Sequence, residues 1–433
     1  MLDLKFIRDN PDKVKEALKN RGLSLDIAPL LKLDKERRGL LLGYESLRSQ
    51  QNKASEKIAQ LKREKKDAIS ILEEMKIVSQ KIAEIEHKVG DIDDKLSIFL
   101  ITIPNIPDKS VPIGKPPEAN KQVKNWGELK KFNFKPRNHI EIGEQLDILD
   151  FPRSAKITGA GFCLFKGAGA RLERALYNFM LDLHTQEHGY TEIFPPFLVN
   201  RDSMTGTGQL PKLEEDMYRL KEDDLFLIPT AEVPVTNIFR DEILPEEILP
   251  IYYTAYTACF RREAGSYGKE TKGLIRVHQF DKVELVKFCT PASSYDEHER
   301  LLVNAETVLQ KLGLPYRIIL LCAEDLSFAA SKCYDIEVYA PGTDKWLEVS
   351  SCSNFEDFQA RRANIKYRPK GGGKAQYLHT LNGSGVALAR TVIAILENYQ
   401  QPDGTVLIPE VLRPYMRTEV LQNPPLPPFN KGG

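Results

Sequence analysis

The sequence predicts an α+β protein led by a long antiparallel pair of helices. Three observations carry this. Leu33, Leu40, Leu47, Ala54 and Leu61 recur at every seventh position, and Ala68, Ile71, Met75, Val78, Ile82, Ile85, Val89, Ile92, Leu96 and Phe99 follow at spacings that alternate three and four. From about residue 121 to 421, helical and strand patterns mix without the regular βαβ alternation of a doubly wound sheet. Within that stretch, Phe260 to Leu285 (FRREAGSYGKETKGLIRVHQFDKVEL) reads as two strands around a polar, Gly-rich loop, with charged side chains on one face of each strand.

The N-terminal elements follow in order. Asn10 and Pro11 mark a helix start, with Pro at the first helical position, and the helix carries Val14 and Leu18 before ending near Asn20 to Gly22. Arg37, Tyr44, Gln51 and Ile58 fill the remaining seam positions of the first heptad run. Lys62-Arg63-Glu64-Lys65-Lys66-Asp67 separates the two runs, so a short turn there folds the helices back on each other. The arm occupies about residues 28–100 within a helical domain of 1–104, and helices on the order of 30 residues give it a projection of roughly 45–50 Å. Residues 32–66 hold eleven Lys/Arg against five Asp/Glu, and residues 67–95 hold four against eight. Opposite charges commonly flank a coiled-coil seam; a basic helix and tip also suit an RNA backbone. A Pro-rich linker is expected at 105–120, a second domain at 121–421, and a mobile tail at 422–433, where four prolines and two glycines fall.

Composition excludes several classes. Lys+Arg and Asp+Glu are both 61, so any basic surface is local. The six cysteines form no CxxC pair, which speaks against a zinc ribbon or a disulfide framework and for a reducing compartment. With no apolar signal core and no run of about 18 apolar residues, a cytoplasmic protein without a membrane contact is expected.

The chemistry-bearing residues cluster. Alternation places Arg261 with Glu263, and Arg276, His278, Phe280, Lys282 and Glu284 together. A charged hairpin is ordinarily a solvated edge, yet this face offers guanidinium forks for phosphate and a ring for a nucleobase. Leu225 to Pro229 reads as a buried strand running into Thr230-Ala231-Glu232, where a hydroxyl and a carboxylate suit an amine, although Thr is also a common helix cap. Tyr334–Ala340 and Trp346–Ser350 read as a hairpin, with Glu348, Ser350 and Ser351 on or just past its second strand; Glu348 suits Mg²⁺. Asn382-Gly383-Ser384-Gly385 reads as the opening of an apolar helix in which Arg390 is the only charge from Val386 to Leu396. A buried Arg requires an anion, either a ligand or a structural carboxylate. No Walker motif, complete GxGxxG or hydrolase triad stands out.

Taken together these segments resemble the class II aminoacyl-tRNA synthetases, specifically the bacterial-type seryl-tRNA synthetases, over nearly the whole chain. The helix ending in His188-Gly189-Tyr190 with the strand reaching Pro195-Pro196, the FRRE hairpin, and the Gly-Ser-Gly segment with Arg390 match the three class II motifs in order. The resemblance implies an antiparallel sheet flanked by helices, and a homodimer built on the first motif. It implies activation of L-serine by ATP and transfer to tRNA(Ser), and to tRNA(Sec) where that is a substrate, with Mg²⁺ and without zinc. Arg261, Glu263 and Arg390 would be catalytic. Arg261 would contact the α-phosphate, Glu263 the adenine amino group, Phe280 one face of adenine, Arg390 its other side and the γ-phosphate, and Arg276 the phosphates. Arg262, Val277, Val349 and Ser350 would complete the ATP site, and Glu348 and Ser351 would hold the metal. Thr230, Ala231, Glu232, Glu284 and Ser384 would bind serine, and the arm would grip tRNA. Gly161-Phe162-Cys163 departs from the family's expected Arg and leaves one rim contact without its residue. Two other readings stand beside this one: a paralogue loading a small amino acid onto a carrier protein, and a non-catalytic coiled-coil scaffold.

Overall fold

In the computed structural model, residues 1–263 and 272–422 are described. The Gly-rich centre of the charged hairpin, 264–271, and the tail from 423 onward lie outside the described residues. The chain divides into two compact units, Leu2–Pro104 and a second beginning at Asn105.

The first unit is helical. Asp3 caps α1 (Leu4–Asp9) by accepting from the Phe6 amide, and α2 (Pro11–Asn20) starts on its proline and buries Val14 and Leu18. The heptads become α3 (Ala28–Arg63) and α4 (Ile69–Leu100). Their cross-pairs fix an antiparallel register: Arg37 meets Asp93, Arg48 meets Glu86 at 3.2 Å, and Gln51 donates to Ser79 at 3.1 Å. With 36 residues, α3 is about 54 Å long at 1.5 Å per residue. Its seam positions from Leu33 to Leu61 are only half-buried, as are most of those of α4, where Ile82, Ile92 and Leu96 alone among the seam positions are buried. A two-helix hairpin shields each seam from one side only, which explains why polar Arg37 and Gln51 are tolerated there. At the tip Lys65 takes a positive φ of 56°, and Asp67 accepts from the Ile69 amide at 2.9 Å to start α4.

The second unit is built on an eight-stranded sheet. Its strands in chain order are β1 (Lys121–Trp126), β2 (Thr191–Glu192), β3 (Ile251–Phe260), β4 (Gln279–Cys289), β5 (Tyr316–Leu320), β6 (Lys332–Ala340), β7 (Lys345–Asn354) and β8 (His379–Ala387). The spatial order is β1-β5-β6-β7-β8-β4-β3-β2, antiparallel throughout except that β2 runs parallel to β3. Helices α5 (Ala168–Gln186), α6 (Ser294–Lys311) and α7 (Leu388–Tyr399) contribute Leu172, Leu176, Leu301, Leu309, Val392 and Ile393 to one large core with Val283 and Leu285 of β4. A smaller core joins Val286 and Phe288 of β4 to Ala231, Val235, Ala360 and Ile365. No helix among the described residues is long and apolar enough to cross a membrane. Residues 105–120 form no helix or strand but are tied down: the Asn105 amide donates to Phe328 O, and its side chain to Ala329 O and Phe355 O.

Four local expectations are corrected. β3 ends at Phe260, so Arg261 and Glu263 lie past it, and Glu263 sits in the left-handed region at φ 49°. β4 begins at Gln279, so Arg276 and His278 precede it. The helix before His188-Gly189-Tyr190 stops at Gln186. Asn382 to Gly385 does not open a helix; it lies inside β8, and α7 begins at Leu388. The glycines suit a strand here because neighbours approach too closely for a side chain. A Cβ on Gly383 would stand 2.8 Å from Cys352 Sγ, and one on Gly385 would stand 2.5 Å from His184 Nε2. Gly385→Ala is therefore expected to lower the unfolding free energy by roughly 1–3 kcal/mol, the usual cost of overpacking; urea denaturation would register it, and an unchanged midpoint would contradict the close fit.

Candidate active site

A cavity of about 580 Å³ opens on the face of β4 opposite its helices. Phe280, Lys282 and Glu284 line it, alternating with Val283 and Leu285, which enter the core. The register continues the wall across the sheet: Glu284 lies opposite Ser384 of β8 on one side and Ala255 of β3 on the other. Arg261, Glu263, Arg276, Val277, Glu348, Val349, Ser351, Arg390, Thr230, Glu232 and Ser384 also face this space. Three expected members do not. Arg262 is exposed, with its amide bonded to Asp216 O at 2.9 Å. Ala231 is packed in the smaller core, and Ser350 is buried with its hydroxyl donating to Ser384 O at 2.7 Å. In each case the residues on either side in sequence line the cavity instead. His278 is likewise structural: its amide donates to Gly161 O at 2.8 Å and its Nδ1 stands 2.9 Å from Arg261 O.

One end of the cavity is cationic. The Arg261 guanidinium lies over the Phe280 ring at 5.2 Å, and its Nε donates to Pro229 O at 3.3 Å. Arg276 pairs with Glu263. Arg390 donates to Ile275 O at 3.2 Å and to Glu348 O at 2.6 Å, and its guanidinium stands 3.4 Å from the Glu348 carboxylate. The lone Arg of the apolar helix thus rests on backbone carbonyls and one carboxylate, with its head in the cavity.

The other end is a buried polar cluster. Lys282 Nζ pairs with Glu284 and donates to Thr230 Oγ1 at 2.9 Å, and Thr230 donates to Glu284 at 3.1 Å. Glu232, at the start of a short helix (Glu232–Thr236), accepts from Gln359 Nε2 at 2.6 Å. Gln359 is oriented in turn by Thr380, whose hydroxyl donates to its Oε1 at 2.7 Å. Burial, and secondly the Glu284 charge, raise the Glu232 carboxyl to about 7. The sequence placed Lys282 on the right face without a role, named Asn382 only within its glycine segment although it lines the cavity, and gave no sign of Gln359. Only the fold brings Gln359 to Glu232, and no spacing in the sequence signals that.

Glu348 and Ser351 lie on β7, with Asp335 of β6 directly opposite Ser351. Burial, and secondly the Glu348 charge, push the Asp335 carboxyl up. Among the described residues no three His, Cys, Asp or Glu side chains converge. One cavity-facing carboxylate and one hydroxyl nonetheless fit a hard cation such as Mg²⁺, which takes its other ligands from water and substrate phosphates.

The comparisons with known proteins agree with this architecture. Residues 214–399 match the model of the tRNA synthetase class II core domain (G, H, P, S and T), and residues 1–107 match that of the seryl-tRNA synthetase N-terminal domain. The fold is that of a class II aminoacyl-tRNA synthetase. The chain is 60% identical over 422 residues to a serine--tRNA ligase of Thermoanaerobacter pseudethanolicus (98% of this chain, 100% of the relative). It is 58% identical over 416 residues to that of Carboxydothermus hydrogenoformans (96% and 98%). Among solved structures, the seryl-tRNA synthetase of Pyrococcus horikoshii complexed with ATP superposes with a TM-score of 0.92 at 37% identity, covering 98% of this chain and 100% of that one. This chain belongs to the seryl-tRNA synthetase family.

The raised Glu232 carboxyl has a consequence for stability. The folded state holds a proton there between about pH 4.5 and 7 that the unfolded chain has released, so stability falls as pH rises through that window. The full penalty, roughly 3 kcal/mol as an upper bound, is present above it. Glu232→Gln should therefore stabilise the protein more at pH 8 than at pH 5. Urea titrations at the two pH values measure this; an equal effect at both would contradict the assignment.

Proposed function

We propose that the protein is a serine–tRNA ligase that forms seryl-adenylate from L-serine and ATP and passes the seryl group to the 3′ end of tRNA(Ser). The observation that carries this is one cavity lined by the Glu232 and Glu284 carboxylates with the Thr230 hydroxyl and Lys282, and by three guanidinium groups, Arg261, Arg276 and Arg390, the last two beside Glu263 and Glu348. The serine ammonium would sit between Glu232 and Thr230, and its arrival would favour the ionised Glu232. The serine hydroxyl would meet the Glu284–Lys282 pair. A site that hydrogen-bonds a substrate hydroxyl rejects an analogue without one, because its buried polar groups are left unpaired.

No protein nucleophile is needed. The serine carboxylate attacks the α-phosphorus and pyrophosphate leaves; the terminal ribose hydroxyl of tRNA then attacks the seryl carbonyl and AMP leaves. Arg261 would neutralise charge growing on the α-phosphate, Arg276 would support the phosphates, and Arg390 would take the γ-phosphate. Phe280 would carry the adenine ring and Glu263 would accept from its amino group. Glu348 and Ser351 would hold Mg²⁺, which supplies charge neutralisation on the phosphates. The basic face and tip of α3 would bind the tRNA. A homodimer and a cytoplasmic setting complete the proposal, and whether tRNA(Sec) is also charged is decided by the same assay with that tRNA.

ATP–pyrophosphate exchange across the twenty amino acids, followed by charging of total tRNA, tests the reading; the expected result is exchange with serine above all others and charging of serine acceptors. A carrier-protein loader would show exchange without charging, and a scaffold would show neither. Arg261→Ala should lower serine-dependent exchange at least about a hundredfold, the size of one lost transition-state contact, and near-normal exchange would remove this residue from the chemistry. Deleting about residues 34–95 should preserve exchange and abolish charging, whereas efficient charging by the shortened protein would place the tRNA contact elsewhere.

A further inference from the structure

One wall of the cavity has no part in the chemistry just described. It comes from residues 207–217 and 327–329, with Gln209, Leu213, Met217 and Phe328 facing the space. It adjoins the serine end, because Gln359 Nε2 donates both to Glu232 and to Thr207 O, the latter at 3.2 Å. Phe328 is half-buried, with Phe358 edge-on at 5.7 Å and the Arg362 guanidinium at 5.3 Å from its centroid. Arg362 is fixed in place by bonds to Thr205 O at 3.0 Å and Leu210 O at 3.3 Å. Gly208 turns the chain beside the ring at φ 91°, where a Cβ would stand 3.6 Å from Phe328 Cδ1.

Lys212 differs from these anchored groups. It is exposed, and its Nζ lies 5.7 Å from the Phe328 centroid with no hydrogen-bond or ion-pair partner among the described residues. A ring facing the cavity, an ammonium without an anion at the same ring, and an amide beside them make a seat for a base and its phosphate. A nucleoside held there would stand next to the serine end, where the acceptor hydroxyl has to arrive.

We propose that Phe328 and Lys212 seat the terminal nucleotide of the tRNA, with the base on the ring and its phosphate on the ammonium. The seat rests on the serine–tRNA ligase reading. It positions the ribose hydroxyl for transfer: the ribose oxygen bonds to the seryl carbonyl carbon, the carbonyl carbon–phosphate oxygen bond breaks, and the hydroxyl proton passes to the departing AMP phosphate.

The test uses the full-length protein, intact tRNA, and the same tRNA lacking its terminal nucleotide. In Phe328→Ala and the bulkier Phe328→Leu, serine-dependent exchange should stay within about threefold of wild type, which also reports that the site is folded. Single-turnover transfer from preformed seryl-adenylate should slow about tenfold in Phe328→Ala, the size of one lost base–aromatic stack, and by a smaller factor in Lys212→Ala. Wild type should bind intact tRNA more tightly than truncated tRNA, and Phe328→Ala should lose that preference. A preference retained in both Phe328 variants, or exchange that falls in step with transfer, overturns the seat while leaving the ligase reading intact. A wild-type protein that charges no tRNA overturns both.

Discussion

The site depends on one buried arrangement, the Lys282–Glu284 pair shared with Thr230 in the middle of the sheet. Both charged side chains are almost fully buried. Taking such ions out of water costs several kcal/mol, and packed hydrophobic residues of similar volume would commonly be at least as stable. The continuation of the same strand face shows that alternative, since Val286 and Phe288 fill a small apolar core one step further along. The change from apolar to charged happens within a single strand face, between Val286 and Glu284. Under the proposed function, a substrate with an ammonium, a carboxylate and a hydroxyl would give this costly arrangement a physical use: the buried groups would already be aligned when the substrate arrives, with no water to reorganise around them.

That alignment is rigid because β4 is held on both edges. β3 and β8 flank it in antiparallel register, and the helices behind it anchor Val283 and Leu285. The register shift between Lys282 and Glu284 on the β8 side falls at the active positions. An irregularity of this kind re-aims side chains where a regular ladder would not. The close approach of β8 to its neighbours, possible only because Gly383 and Gly385 lack side chains, brings Ser384 against Glu284. Packing and chemistry thus share the same few residues.

What the sequence made legible follows from period. The heptads of α3 and α4 and the alternation through Phe280, Lys282 and Glu284 are local patterns, and they gave the arm and one wall of the cavity correctly. Ends of elements were less legible. Arg261 and Glu263 look like strand residues because they lie two apart and follow directly on the uncharged, aromatic- and Thr-rich run Ile251–Phe260, yet β3 stops at Phe260. Asn382-Gly383-Ser384-Gly385 looks like a helix start by composition, because the reason for its glycines is a contact with Cys352 and His184 from distant segments. Gln359 and the Phe328 wall were illegible for the same reason. Both join the site through contacts spanning more than a hundred residues of sequence, as in the bond from Gln359 to Glu232, and no short-range pattern encodes such a contact.

Under the proposed function, the charges lining the cavity would set the orientation of the substrate. Glu232 and Glu284 line the cavity with Lys282 and Thr230, and Arg261, Arg276 and Arg390 line it with Glu263 and Glu348. A zwitterionic amino acid placed with its ammonium toward the carboxylates points its own carboxylate toward the arginines. A polyphosphate is drawn to the same arginines from the opposite side. The two anions would repel each other in water, and the cations between them remove much of that repulsion while holding the reacting atoms close. The reverse orientation sets a carboxylate against Glu232 and Glu284, where like charges in a buried setting are strongly disfavoured. Burial first, and the Glu284 charge second, raise the Glu232 carboxyl, and under the proposed function a bound ammonium would favour its ionised form.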